Sequence, residues 1–493
     1  ALWPQEGIDF SDKKVGVVGT GASGIQVAQE ASKVASELVV FQRTPNMFLP
    51  MGQERYSKED NIKMKKELPG HFDARKDSFG GFDFTFDPKS ALEVSESERE
   101  KTYEKLWEAG GFKFWLGVYG DIYTDETANR TAYEFWKKKT RERINNPKLA
   151  EILAPSEPPH PYGVKRPSLE QWFFEIFNQD NVELVNLREE RIDKVLPHGI
   201  KTIKREFNLD IIALATGFDA VTGGLTSINL IGTNGVALKD KWAKGVRTHL
   251  GLATANFPNM LMSYGPQAPT GFCNGPSSAE YQGECIVDML KHLRSSGFSK
   301  FDVLPEYEEK WRNHIIDIAS KTLFPKANSW YMGANIPGKT REILMYPAGL
   351  PSYLEEVKEA ASKNYEGFEF SSSFYRNYNS FKNAYISLNN EKVLIEKEEG
   401  NSLFKISKRF SNDNIRKKVC RIKPDIELDE RFIEAFRTKM KEAEDHFLQN
   451  TEMYLFQKKL SLRWTIFKVL IFLPFMFFLS ELIEEIISFF NLF

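Results

Sequence analysis

The stretch KVGVVGTGASGIQVAQEASKVASELVVFQ, residues 14–42, decides the fold. Lys14 to Val18 is a short apolar run and Gly19 to Gly24 a tight turn. Ile25 to Ala35 has helical periodicity, and Glu37 to Gln42 is apolar again, so the segment predicts strand, turn, helix, strand. A G-x-G-x-x-G turn that leaves a strand and opens a helix is the setting in which a glycine pattern signals a dinucleotide. Gly19 permits the sharp turn, Gly21 lets the main chain approach a pyrophosphate, and Gly24 allows close helix packing. Thr20, Ala22 and Ser23 complete a loop whose unpaired amides face the anion. A glycine turn that serves packing alone is the competing reading.

The end of the second strand reads VVFQRTPN, residues 39–46. NAD-binding folds usually place an acid here, on the ribose 2′-hydroxyl. Arg43 and Thr44 instead offer a cation and a hydroxyl, which favours NADP over NAD. The alternative is that Arg43 is a solvated surface charge.

A chain of 493 residues predicts at least two packed units. Its 66 basic and 68 acidic residues give a net charge of −2, which argues against nucleic acid as a partner. Cys273, Cys285 and Cys420 supply neither a disulfide framework nor metal-ligand spacing, and His160 and His198 lack partners for metal or triad work, so no metal site is predicted. A reducing, cytoplasmic setting fits this cysteine usage.

From Met51 to about Pro161 the texture is charge-rich and helical, broken by GGFDF, AGGFKFWLGVYGD and PSEPPHPYG, and reads as a helical insertion. NVELVN, IDKVLPHGIKTI and LDIIALATG then resume a sheet. Phe257 to Gly265 predicts a further strand, Ser278 to Leu293 a helix, and Lys300 to Phe370 helix alternating with loop. After Phe370 the chain becomes polar and aromatic, then densely charged and helical in its later part. At its end, Trp464 to Ser480 carries one charge, Lys468, and as a helix would reach about 25 Å, short of a ~30 Å hydrocarbon core. Snorkelling by Lys468 closes that gap, and the basic Lys458, Lys459 and Arg463 ahead of it would keep the large domain cytosolic. An interfacial or buried helix, or a tail foreign to the enzyme, are the rivals to this anchor.

WPQEGIDFSDKKVGVVGTGASGIQVAQE, VVFQRTPN, YGVKRP, ALATGFDAVTG and TLFPKANSWYMGANIPGK, taken together, resemble the flavin-containing Baeyer–Villiger monooxygenases of the cyclohexanone and phenylacetone type, over residues 1–370. The family fingerprint F-x-G-x-x-x-H-x-x-x-W-[PD] ends on residues that match Trp3-Pro4, so the resemblance implies a chain lacking the N-terminal FAD-binding Rossmann half and carrying an unrelated C-terminal extension. The implied fold is α/β. Residues 1–50 and 161–215 would form an NADP-binding Rossmann domain with a helical insertion at 51–160. Residues 216–370 would be the C-terminal part of an FAD-binding domain, followed by a charged, partly helical extension at 371–460 and a hydrophobic, membrane-type tail at 461–493.

By the same resemblance Lys165 joins Arg43 and Thr44 on the 2′-phosphate, and Arg166 sits beside the flavin. A C4a-peroxyflavin must stay anionic to attack a ketone, and a permanent guanidinium stabilises both that anion and the negative tetrahedral adduct. Thr216 and Gly217 would return the chain toward FAD, Gly265, Asn274 and Gly275 would lie along the flavin, and Trp330 would pack on the nicotinamide ribose. The implied activity is NADPH- and FAD-dependent insertion of one oxygen atom of O2 beside a ketone carbonyl, giving an ester or lactone. Two readings stand beside it: a flavin monooxygenase that oxygenates nitrogen or sulfur, and a non-catalytic, membrane-tethered NADP-binding fragment.

Overall fold

Four parallel strands form the central sheet in the order β3-β2-β1-β4: β1 (Lys14–Val18), β2 (Glu37–Gln42), β3 (Val182–Asn186) and β4 (Ile211–Leu214). This computed structural model describes residues 3–371 and the strands at 383–388, 391–397 and 404–408. The order is that of one mononucleotide-binding half of a Rossmann sheet. The register sets Val17 beside Val40 on one side and Ala213 on the other. Val15, Val17, Leu38, Val39, Val40 and Phe41 are buried, the near-continuous apolar character expected of strands covered on both faces.

Helix α1 (Ala22–Ala31) begins earlier than the periodicity from Ile25 suggested, because its first turn is the glycine loop itself. Gly21 precedes it in an extended conformation, and Ile25, Ala28 and Ala31 face the core. The helix stops at Ser32, whose N–H donates to Ala28 and whose hydroxyl donates to the Gln29 carbonyl. An antiparallel meander (Ile192–Leu196, Gly199–Thr202, Glu206–Asn208) supplies Ile200 and Phe207 to a cluster with Val18, Val39, Phe41 and Val185.

Between β2 and β3 lie helices Lys58–Ala74, Glu96–Glu108, Lys113–Leu116, Glu126–Arg141 and Pro147–Leu153. The Asp125 carboxylate caps the fourth by accepting from the amides of Thr127 and Ala128 at 2.7 and 2.9 Å. That helix buries Ala128, Ala132, Tyr133, Phe135 and Trp136, and the Trp136 indole donates to the Phe48 carbonyl at 2.8 Å. The helical layer is thereby fastened to the chain just beyond β2.

One expectation is corrected. Phe257 to Gly265 forms no strand: Asn256, Asn259 and Tyr264 take positive φ angles of 68°, 59° and 58°, which no extended strand tolerates. In the 371–460 extension the described segments beyond Ser371 are strands. A second compact unit includes residues 291–301 and, among the described residues beyond Phe370, an antiparallel meander of Asn383–Leu388, Glu391–Lys397 and Phe404–Lys408. The predicted later helix and the Trp464–Ser480 tail lie outside the described residues. Among the described residues no helix is long and apolar enough to cross a membrane.

Glu170, fully buried, accepts from Arg143 through both oxygens at 2.6 and 3.0 Å and from the Phe173 amide at 3.0 Å. Arg143 also donates to Glu175 at 2.6 and 2.7 Å, so removing Glu170 leaves that guanidinium one carboxylate and takes the acceptor from the buried Phe173 amide. Glu170→Ala should cost about 2 kcal/mol in urea unfolding, and Glu170→Gln less. A loss under about 0.5 kcal/mol for Glu170→Ala would show the pair to be dispensable.

Candidate active site

The glycine loop has a closed side and an open one. Gly19 sits at φ +104°, and a Cβ there would lie 2.4 Å from the Ala215 carbonyl oxygen, just past β4. At Gly24 it would lie 2.0 Å from the Gly19 carbonyl oxygen. Around Gly21 there is no protein atom within 4 Å of the missing Cβ. The amides of Ala22, Ser23 and Gly24 have no acceptor among the described residues, so the helix start presents free donors on the open side. The Thr20 hydroxyl donates to Gln42 Oε1 at 3.5 Å, and Gln42 Nε2 donates to the Ile152 carbonyl at 3.2 Å, which ties the loop to the end of β2.

At that same strand end stand Arg43, exposed, and Thr44, half-buried. The half-buried Lys165 is held close by: burial, and then the charge of Arg43, push its ammonium pKa below the usual lysine value. Neither cation has a carboxylate partner among the described residues. Sequence reasoning missed Arg188, whose Nε donates to the Arg43 carbonyl at 3.1 Å. Its available signal was position: it follows β3, and the parallel pairing of β2 with β3 brings their C-terminal ends to one edge. Two like charges with no carboxylate of their own among the described residues, beside a third cation, are surroundings that favour an anion.

Arg166 lies in different surroundings. Its guanidinium is 5.3 Å from the Phe112 ring centroid and 6.0 Å from that of Trp115, within cation–π range. Trp115 meets Phe272 edge-on at 4.9 Å, Phe272 meets Tyr331 at 6.4 Å, and the Tyr331 hydroxyl donates to the Gly271 carbonyl at 2.9 Å. Asn46 Nδ2 donates to the Arg166 carbonyl at 3.4 Å. Burial pushes the Cys273 thiol up to about 12 and raises Tyr264 and Tyr331, with the Arg166 charge opposing each rise. Arg166 too has no carboxylate partner among the described residues.

Trp330 joins this group. It is half-buried, packed on Tyr331 at 4.3 Å, with its six-membered ring against Gly271. Thr216 and Gly217 are exposed directly after β4, and the space beside Gly217 is open. Asn274 accepts the Ser277 amide at 3.0 Å and so caps the helix Gly275–Ser295, while Gly275 faces the Tyr264 ring. Gly265 has a structural reason of its own: a Cβ there would lie 2.9 Å from the Gly251 carbonyl oxygen. The structure thus brings the glycine loop and Arg43, Thr44 and Lys165 to the sheet edge, and gathers Arg166, Trp330 and the 264–275 loop in one aromatic cluster.

No protein-family model matches the chain. It is 52% identical over 372 residues to the cyclopentanone 1,2-monooxygenase of Comamonas sp., an alignment covering 76% of this chain and 68% of that one. It is 36% identical over 368 residues to the phenazine N-monooxygenase of Lysobacter antibioticus, covering 74% and 67%. The crystal structure of OTEMO in complex with FAD and NADP superposes with a TM-score of 0.71 at 38% identity, over 75% of this chain and 69% of that one.

The lowered pKa of Lys165 has a testable sign. A bound phosphate favours the charged ammonium, so binding takes up a proton once the pH passes the lowered pKa, and affinity then falls. Above neutral pH, where the phosphate is fully ionised, calorimetry should show the preference for 2′,5′-ADP over 5′-AMP declining at a lower pH than an ordinary lysine would require. Lys165→Met should reduce and flatten that preference. A pH-independent preference in the unaltered protein would contradict the assignment.

Proposed function

The chain belongs to the Baeyer–Villiger monooxygenase family of flavoproteins, and from that premise we propose that it oxidises small ketones to esters or lactones with NADPH, FAD and O2. The observation that carries the reading is the Lys165-Arg166 dipeptide. One residue faces Arg43 at the phosphate end, and the next sits over Phe112 and Trp115 with no carboxylate among the described residues to neutralise it.

In this reading residues 1–50 and 161–215 form the NADP-binding domain, residues 51–160 its helical insertion, and residues 216–370 contribute to the FAD-binding domain. The glycine loop would hold the coenzyme pyrophosphate on the amides of Ala22, Ser23 and Gly24, beside the open Gly21. Arg43, Thr44, Lys165 and Arg188 would take the 2′-phosphate, which distinguishes NADPH from NADH. Thr216, Gly217, Asn274 and Gly275 present exposed or half-buried backbone for the flavin, and Trp330 would lie on the nicotinamide side. FAD, when bound, supplies the chemistry of O2 activation. Arg166 stabilises the negative charge that develops on oxygen as the ketone carbonyl is attacked, a task for a cation that cannot lose its proton. The surrounding Phe112, Trp115, Phe272 and Tyr331 exclude water and strengthen that interaction.

A nitrogen-oxygenating reading keeps a specific support, the similarity to a phenazine N-monooxygenase. Product analysis with a cyclic ketone and an aromatic amine offered together separates the two. In protein reconstituted with FAD, Arg166→Ala should leave NADPH-driven flavin reduction within a few-fold of the unaltered rate and cut ester formation by about a hundredfold or more. An unchanged ester yield would remove Arg166 from the mechanism.

A further inference from the structure

The segment from Trp330 to Lys339 touches both walls of the site. At one end the Trp330 ring packs on Gly271, so closely that a Cβ on that glycine would lie 2.7 Å from it. At the other end the Lys339 ammonium donates to the Asp219 carboxylate at 2.5 Å, to the Thr222 hydroxyl at 2.7 Å and to the Ala220 carbonyl at 3.5 Å. Between them Asn335 Nδ2 donates to the Phe218 carbonyl at 2.8 Å. All four acceptors lie in residues 218–222, a few residues past the Ala215 carbonyl on which Gly19 of the nucleotide loop rests.

Two features set the Lys339–Asp219 pair apart from an ordinary surface ion pair, which stabilises little. The Lys339 side chain is 16% exposed and has Asp219 as its one carboxylate partner among the described residues, so losing that carboxylate would leave a largely covered charge without an ionic partner. Asp219 is itself held in place. Its carbonyl accepts the Gly223 amide at 3.1 Å, and a Cβ on Gly223 would lie 2.6 Å from the Asp219 Cβ. The pair joins segments 120 residues apart in sequence.

We propose that Lys339 and Asp219 are positioning residues forming a latch, which holds residues 330–339, and with them Trp330, across the nicotinamide half of the bound coenzyme. The latch sets how long NADP stays bound, while Arg43 and Lys165 set which coenzyme is chosen. This rests on the coenzyme reading above. Because the pair touches neither the phosphate clamp nor Arg166, its loss acts on the departure of the whole coenzyme and spares recognition of the phosphate.

The test uses the full chain reconstituted with FAD and two probes, NADP+ and 2′,5′-ADP, which lacks the nicotinamide. Lys339→Met and Asp219→Asn should each speed NADP+ dissociation about tenfold while leaving 2′,5′-ADP affinity within about twofold. The double variant should be no worse than either single one, the mark of two residues acting as a unit. Unchanged NADP+ release in both single variants, equal weakening of both probes, or additive losses would each overturn the latch. Failure of the unaltered protein to bind NADP+ would overturn the coenzyme reading and the latch with it, an outcome distinct from normal binding that the substitutions do not disturb.

Discussion

Two cations kept together with no carboxylate partner among the described residues are the constraint on which the rest of the site depends. Arg43 and half-buried Lys165 repel each other, and burial adds to the cost of the charged lysine. Such an arrangement persists only where the surrounding structure imposes it. It is imposed from the helical layer. The Asn129 side chain accepts the Tyr162 amide at 2.7 Å and donates to the carbonyls of Ile122 and Tyr162 at 2.7 and 2.9 Å. The Trp115 indole donates to the Gly163 carbonyl at 3.0 Å, and Gly163, at φ +75°, leaves no room for a side chain against Tyr123 and Trp115. The two residues ahead of Val164-Lys165-Arg166 are thereby fixed, and the dipeptide follows with its cations toward different neighbours.

The helices between β2 and β3 are therefore more than an insertion the sheet tolerates. Their buried aromatics, Trp115 above all, support Arg166 on one side and hold the backbone of Gly163 on the other. A Rossmann sheet alone would supply the glycine loop and the strand end with Arg43. Phe112 and Trp115, over which Arg166 sits, come from the layer added to it.

What was legible in the sequence follows from how local each signal is. The glycine loop, β1, β2, β3 and β4 are written in short runs, and the structure places them where the pattern did. The resemblance brought Lys165 and Arg166 forward; spacing alone would have left them a basic turn. Arg188 was illegible because its significance is the parallel pairing of two strands far apart in the chain, and Asn129 because its partners are a helix turn before it and a loop after it. Phe257 to Gly265 was misread for a different reason: its composition is that of a strand, while the left-handed residues Asn256, Asn259 and Tyr264 bend it into a loop. The strands near 390 were overlooked because charge density hid their alternation, although Asn389-Asn390 between two alternating runs is a hairpin signal.

The ionisable groups packed near the dipeptide share one property: burial drives each toward its neutral form. His160 falls to about 4, its Nδ1 facing the Pro161 carbonyl at 2.9 Å, and Cys273 rises to about 12, with Tyr264, Tyr331 and Tyr162 raised as well. Near neutral pH these groups carry no charge, and the field at the site is set by Arg166, Arg43 and a Lys165 that an anion would keep protonated. An aromatic, low-dielectric surrounding magnifies a fixed charge and penalises a mobile one. The fold uses both effects: burial keeps the imidazole, thiol and phenols neutral near neutral pH, and the fixed charge left among them is the Arg166 guanidinium.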